Sequence, residues 1–126
     1  MTIEETKEFR PRFGADGLLP VVTVDHETAS VLMVAYANRE AVDQTLATGD
    51  AHYWSRSRQE LWRKGATSGH EQKIVRVLTD CDQDTLIYEV EQKGPACHTG
   101  RPSCFYREVT GPNAADASLT LTPSNG

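Results

Sequence analysis

The sequence lacks any long apolar run, and no stretch of its 126 residues approaches the roughly 20 apolar residues that cross a bilayer. It also lacks the apolar centre of a signal peptide, because the opening residues, MTIEETKEFRPRFG, are mostly polar and charged. A basic excess is missing as well, since 13 Lys and Arg face 18 Asp and Glu for a formal net charge of −5. These absences argue against membrane insertion and general nucleic-acid binding, and they predict a cytoplasmic globular protein.

Cysteine is scarce, and the only three are Cys81, Cys97 and Cys104. An odd number leaves any disulfide scheme with a spare thiol, and cytoplasmic thiols stay reduced. The cysteines are therefore better explained as metal ligands or nucleophiles, with buried thiols that act as small apolar side chains as the alternative. Thiolates favour zinc, although the spacing has no paired CxxC of a zinc ribbon. The H-x-E and P-C-x-x-C signature of zinc-dependent base deaminases is also absent.

The distribution of polar residues predicts one domain with loose ends. Residues 1–12 are polar, and we expect them to form a flexible N-terminus. Residues 111–126 are rich in small and polar residues with Pro and Gly, and we expect a disordered tail. The domain between them, residues 13–110, has a modest core, so an oligomer would help to bury its surface.

Hydrophobic patterns within this domain predict an α+β fold. The β-branched runs LPVVTVD and SVLMVAYAN predict a hairpin, and AHYWSRS, KIVRVLT and TLIYEVEQ predict further strands. NREAVDQTLATG predicts a short helix, because Asn38 suits the N-cap, Gly49 suits the C-cap, and Val42 and Leu46 share a face. We expect RQELWRKGATSGH to be a loop and CFYRE to close the sheet. One helix among several strands is typical of a strand-rich α+β domain.

The stretch DCDQD places Asp80, Asp82 and Asp84 at alternate positions, so an extended backbone would direct all three to one face. Neighbouring like charges repel unless a cation neutralises them, and Mg²⁺ or Ca²⁺ is the natural partner of carboxylates. A solvated acidic turn is the alternative. An EF-hand is disfavoured although Glu91 falls at its twelfth position, because Thr85 replaces the required glycine and the flanking segments are not helical.

The stretch SRSRQELWRKGATSG concentrates basic residues in an acidic chain. Guanidinium groups and a glycine–serine turn suit phosphate, and an indole ring can stack on a base or ribose. No Walker pattern is present, so a P-loop is excluded. A solvated charged loop with its tryptophan in the core is the alternative. The candidate substrate-binding residues are Arg56, Arg58, Trp62, Lys64 and Ser68.

Five separate segments, in order along the chain, carry a resemblance to a known family. They are MVAYANREA (33–41), SRSR (55–58), LWRKGATSG (61–69), DCDQD (80–84) and ACHTGRPSCF (96–105). Together they resemble the phosphoribosyl-AMP cyclohydrolases of histidine biosynthesis in their monofunctional form, over about Gly17 to Arg107. Ala66 departs from the family, which usually has glutamate there, so that carboxylate must be dispensable or supplied elsewhere. Ala37 stands where methionine is usual, which indicates a packing change.

The resemblance implies the reaction and its cofactors. Water would open the adenine ring of 1-(5-phosphoribosyl)-AMP between N1 and C6, giving the formimino-aminoimidazole carboxamide ribotide. The two phosphate groups of this substrate would account for the basic loop. The protein would be an intertwined homodimer. Its metal ligands would be Asp80, Asp82 and Asp84 for Mg²⁺, and Cys81 of one subunit with Cys97 and Cys104 of the other for Zn²⁺.

The implied chemistry needs a group that moves a proton. His98, beside a zinc ligand, is the leading catalytic candidate, because histidine side chains titrate near neutral pH. His70 and His52 are weaker candidates. His98 would instead close the metal site if it were the fourth zinc ligand, whereas water in that position would leave the site open for hydrolysis. A closed site would favour the alternative function, a non-catalytic zinc-stabilised binding module.

Overall fold

The computed structural model describes residues 2–122 and confirms the α+β fold. Within that range the chain forms eight strands and one helix. The elements are β1 (Leu19–Asp25), β2 (Val31–Ala37), α1 (Arg39–Thr48), β3 (His52–Ser55), β4 (Glu60–Arg63), β5 (Gln72–Thr79), β6 (Leu86–Gln92), β7 (Arg107–Thr110) and β8 (Ser118–Leu121). The helix of the described range is not long and apolar enough to cross a membrane.

A four-stranded sheet with strand order β2-β1-β6-β5 forms the body of the protein. Strands β1 and β2 form the predicted antiparallel hairpin, β1 runs parallel to β6, and β5 pairs antiparallel with β6. Alternate side chains of β1 and β6 point to the same face, as a period of two requires. That inner face is the core, because Leu19, Val21, Leu86, Tyr88 and Val90 are almost completely buried.

The opposite face of the sheet carries an exposed apolar row beside the Arg76–Glu89 ion pair. Val34, Val22, Ile87 and Leu78 are register partners that lie side by side across all four strands. Val34 is 46% exposed and Leu78 is 37% exposed. The row is a contiguous apolar strip at the surface, which is uncommon on a monomer.

Helix α1 begins and ends as its capping residues predict. The Asn38 Oδ1 atom accepts a hydrogen bond from the N–H of Ala41 at 2.9 Å, and Gly49 ends the helix at φ 77°. The buried face differs from the predicted one, because Val42 and Thr45 are buried while Leu46 is 55% exposed. Thr45 is held inside because its Oγ1 donates to the Ala41 carbonyl and accepts from the N–H of His52.

Two predictions about irregular segments are wrong. The segment expected to be a loop contains β4, which pairs antiparallel with β3 and places Trp62 opposite Tyr53. The segment CFYRE does not close the main sheet, because β7 pairs instead with β8. Strand β8 lies within 111–126, the segment predicted to be a tail, and residues 123–126 lie outside the described residues.

Candidate metal-binding and substrate site

The three aspartates converge, although in a turn rather than in a strand. The turn joins β5 to β6, and one carboxylate oxygen each from Asp80, Asp82 and Asp84 lie within 4.8 Å of one another. Because antiparallel strands flank the turn, a helix–loop–helix EF-hand is excluded. The expectation of an extended backbone here is wrong, but its consequence, three carboxylates on one side, is confirmed.

Electrostatics make this acidic turn receptive to a cation. Desolvation opposes ionisation of Asp80, but hydrogen bonds from Asp84 and from the N–H of Thr85 outweigh it and lower the Asp80 pKa. The pKa of Asp84 is raised because its carboxyl contacts those of Asp80 and Asp82. The raised pKa of Asp84 reflects repulsion from its neighbouring carboxylates, and a bound cation would relieve that repulsion.

Two of the cysteines lie together at the ends of a short loop, residues 97–104. The N–H of Cys97 donates to the Arg101 carbonyl within the loop, and the N–H of Cys104 donates to the Leu32 carbonyl, which anchors the end of the loop to β2. The Thr99 hydroxyl donates to the Cys97 sulfur at 3.0 Å, which lowers the Cys97 pKa. Burial and the neighbouring Cys97 sulfur raise the Cys104 pKa. The pair offers two soft donor atoms, and the lowered pKa favours deprotonation of Cys97.

Lys64 belongs to the cysteine pair rather than to an open loop. Its Nζ donates to the Ala96 carbonyl at 2.7 Å, directly before Cys97. Burial lowers the Lys64 pKa, and the nearby Cys104 and Cys97 sulfurs oppose that shift. A half-buried ammonium beside two thiols stabilises their deprotonated form.

The other candidate residues of the predicted substrate loop have separate surroundings. The Arg56 guanidinium stacks over the ring of Tyr36 at 3.9 Å, beside a cavity of about 380 Å³. Arg58 pairs with Glu60 at 3.4 Å. The Ser68 hydroxyl accepts from the N–H of His70. Trp62 faces the core and lies within 5.4 Å of the Lys64 ammonium.

Cys81 lies far from the other two cysteines in one protomer. It sits in the aspartate turn, before β6 begins, whereas Cys97 follows the end of β6. Strand β6 has seven residues, and at about 3.3 Å per residue it separates the two ends by roughly 20 Å. Among the described residues, the aspartates are the only group of three or more metal-ligating side chains that converge. The three sulfurs of one protomer therefore do not form one site.

The histidines have different surroundings. His98 is exposed on the cysteine loop, next to Cys97. His52 is buried in β3, and its Nδ1 is engaged by the Asp50 carbonyl at 2.7 Å, which indicates a structural role. The His70 ring packs against Gly94, where an added Cβ would lie 2.6 Å from His70 Cδ2.

Sequence reasoning missed three residues that shape these sites, namely Thr99, Tyr36 and Gln83. Thr99 contacts a cysteine sulfur and Tyr36 supports Arg56, while Gln83 is buried inside the aspartate turn. The sequence gives no local sign that Gln83 is buried. A polar residue between two aspartates predicts exposure.

Comparison with known proteins confirms the resemblance. The family model described as phosphoribosyl-AMP cyclohydrolase matches residues 33–106. A relative of that name from Nitrobacter hamburgensis is 52% identical over 123 residues, which is 98% of this chain and 84% of the relative. One from Archaeoglobus fulgidus is 60% identical over 100 residues, 79% of this chain and 93% of the relative. One from Sphingopyxis alaskensis is 53% identical over 118 residues, 94% of this chain and 90% of the relative. The protein accordingly belongs to the phosphoribosyl-AMP cyclohydrolase family, hydrolytic enzymes of histidine biosynthesis.

Proposed function

We propose that the protein hydrolyses the N1–C6 bond of the adenine ring in 1-(5-phosphoribosyl)-AMP, with zinc and Mg²⁺ bound, as a homodimer with composite sites. The observation that carries this proposal is the separation of the ligands, with the aspartates and Cys81 at one end of β6 and the other two cysteines at the opposite end. A second copy in the reverse orientation would bring the two ends together.

The donor chemistry supports both metals. Cys97 and Cys104 offer adjacent sulfurs, and the deprotonated form of Cys97 is favoured by Thr99 and Lys64, so the pair suits zinc. Cys81 of the second subunit would be the third ligand. When bound, zinc supplies a water molecule acidic enough to act as a nucleophile near neutral pH. The carboxylate set suits a hard ion such as Mg²⁺.

The exposed sheet face supports the dimer. The row Val34, Val22, Ile87 and Leu78 offers an apolar surface that a second copy can bury. Burial of this surface would offset the modest core of a small domain. The same contact would supply the missing cysteine, so folding of the dimer and completion of the zinc site would be coupled.

His98 is proposed to move the proton. Its exposed position next to Cys97 would put it at the edge of the composite site, where it would take a proton from the attacking water and return it to N1 as the C6–N1 bond breaks. The products of bond cleavage are a carboxamide and a formamidine. His70, fixed against Gly94, is the second candidate for this role.

The basic loop is proposed to bind the substrate phosphates. Arg56 and Arg58 are exposed, so a phosphate can reach both guanidinium groups, at Arg58 in exchange for its exposed partner Glu60, and Ser68 adds a hydroxyl. Trp62 and Lys64 have inward positions that favour a supporting role beside the cysteine pair over direct phosphate contact.

Incubation of the purified, zinc-replete protein with phosphoribosyl-AMP and Mg²⁺ tests the activity. Ultraviolet absorbance should report loss of the purine ring, and mass spectrometry should show a product heavier by one water. AMP is the matched control, because without phosphoribose on N1 its C6 is less electron-poor and the ring should stay closed. Conversion of both compounds, or of neither, would refute the proposed reaction.

A further inference from the structure

Gln83 is the buried member of the aspartate turn. Its neighbours Asp80 and Asp84 are exposed, yet Gln83 is only 4% exposed. Its backbone has φ 60°, a left-handed conformation that residues other than glycine rarely adopt. A buried amide at a strained backbone position inside an exposed turn requires specific partners, because an unpaired buried amide is unfavourable.

Those partners all come from one N-terminal segment, residues 8–12. The N–H of Arg10 donates to Gln83 Oε1 at 2.7 Å, and Gln83 Nε2 donates to the Glu8 carbonyl at 3.3 Å. The N–H of Arg12 donates to the Gln83 main-chain carbonyl at 2.7 Å. The segment therefore binds both ends of the Gln83 amide and its main-chain carbonyl. Arg10 and Gln83 are 73 positions apart in the chain.

Hydrogen bonds within the turn connect Gln83 to the carboxylates. The N–H of Gln83 donates to the Asp80 carbonyl at 3.2 Å, and the N–H groups of Asp84 and Thr85 donate to Asp80 Oδ1. Gln83 lies between Asp82 and Asp84 in the chain, so its backbone conformation sets the directions in which both neighbouring side chains leave the turn.

We propose that Gln83 is a positioning residue for the cation site. Its hydrogen bonds to residues 8–12, here called the clamp, hold it in place, so the N-terminal segment contributes to that site. This inference rests on the proposed function, in which the three aspartates bind Mg²⁺. The clamp would hold the carboxylates in their converged arrangement before the ion arrives, and loss of the clamp would weaken binding of the ion.

The substitution Gln83→Met tests the clamp, because methionine has a similar length and similar backbone preferences but no amide. Binding of Mn²⁺, as a probe for Mg²⁺, would be measured on the zinc-replete protein by electron paramagnetic resonance of the free ion. We expect affinity to fall on the order of 10-fold, the usual effect of losing a group that orients a metal ligand. The Mg²⁺ concentration for half-maximal rate should rise in parallel, with the rate at saturating Mg²⁺ largely retained.

Two further variants give the test a control and an independent arm. Gln59 is also a glutamine in the left-handed region, at φ 52°, and its amide donates to the Arg56 carbonyl in a different turn. Gln59→Met should therefore leave Mn²⁺ affinity unchanged. Arg10→Pro removes the N–H that donates to Gln83 and should reproduce the weakening, and the double variant should be no weaker than Gln83→Met alone.

The substitution Asp82→Asn separates the clamp from the proposed function. Weakened Mn²⁺ binding in Asp82→Asn with wild-type binding in Gln83→Met and Arg10→Pro would overturn the clamp and leave the cation site in place. Wild-type binding in Asp82→Asn as well would overturn both. If Gln83→Met does not fold, Arg10→Pro carries the test by itself, because it leaves the sequence of the aspartate turn untouched.

Discussion

Complementation between inactive variants tests whether two subunits share each site. Cys81→Ser removes the sulfur at one end of β6, and Cys97→Ser removes a sulfur at the other end. Each homodimer should lose its zinc and its activity, because every site lacks one of three ligands. The two variants would be mixed, unfolded reversibly and refolded together so that their subunits exchange.

If the sites are composite, the fraction of activity and bound zinc that mixing restores can be calculated. In a mixed dimer, the Cys81→Ser subunit still offers intact Cys97 and Cys104, and its partner still offers intact Cys81. One of the two sites is therefore complete and the other lacks both altered sulfurs. Random pairing makes half of the dimers mixed, so activity and bound zinc should recover to about a quarter of wild type.

Steady-state turnover and elemental analysis of zinc would be measured on the same refolded samples. A mixture of Cys97→Ser with Cys104→Ser is the matched control, because both changes damage the same half of the site and mixed dimers hold no complete one. Full activity of either single variant, or equal recovery in both mixtures, would refute the shared site.

Four other substitutions test individual turns and side chains. Gly65→Ala should destabilise the protein by about 3 kcal/mol in denaturant unfolding, because its Cβ would lie 2.5 Å from the N atom of Glu71 at φ 84°. Gly17→Ala, at φ 78° with nothing within 4 Å, should lose only about 1 kcal/mol, and equal losses would contradict the steric argument. Lys64→Met should release zinc faster to a chelator, and an unchanged release rate would remove the ammonium from its proposed role. Asp25→Asn should lower the melting temperature at neutral pH, since hydrogen bonds from Thr28 lower the Asp25 pKa. The difference should be complete above pH 3.8 and shrink as the pH falls through that lowered pKa, and a difference that persists in acid would contradict it.

The features that depend on neighbouring residues, the helix ends and the first hairpin, could be predicted from the sequence. Asn38 and Gly49 bound helix α1 because capping depends on neighbouring backbone groups. The β1–β2 hairpin follows from two β-branched runs joined by a polar turn. Strand β4 was missed because four residues carry too little alternation, and it is its pairing with β3 that makes it a strand.

The site arrangements that could not be predicted depend on contacts between residues far apart in the chain. The alternation of Asp80, Asp82 and Asp84 predicts an extended backbone, and the acidic turn that gathers their carboxylates was only the alternative. The basic neighbours of Lys64 predict phosphate binding, and only the fold shows that its ammonium also lies beside the Ala96 carbonyl and the two sulfurs. Gln83 depends on a segment 73 positions away, a contact that no short pattern reveals.

The most direct test of the account follows turnover of phosphoribosyl-AMP by ultraviolet absorbance while zinc is removed and restored. With Mg²⁺ present throughout, a strong zinc chelator should stop ring opening, and added Zn²⁺ should restore it to the starting rate. Ring opening that continues after elemental analysis shows no remaining zinc would contradict a role for the cysteine pair in catalysis. No ring opening by a folded, zinc-replete dimer would contradict the proposed function itself.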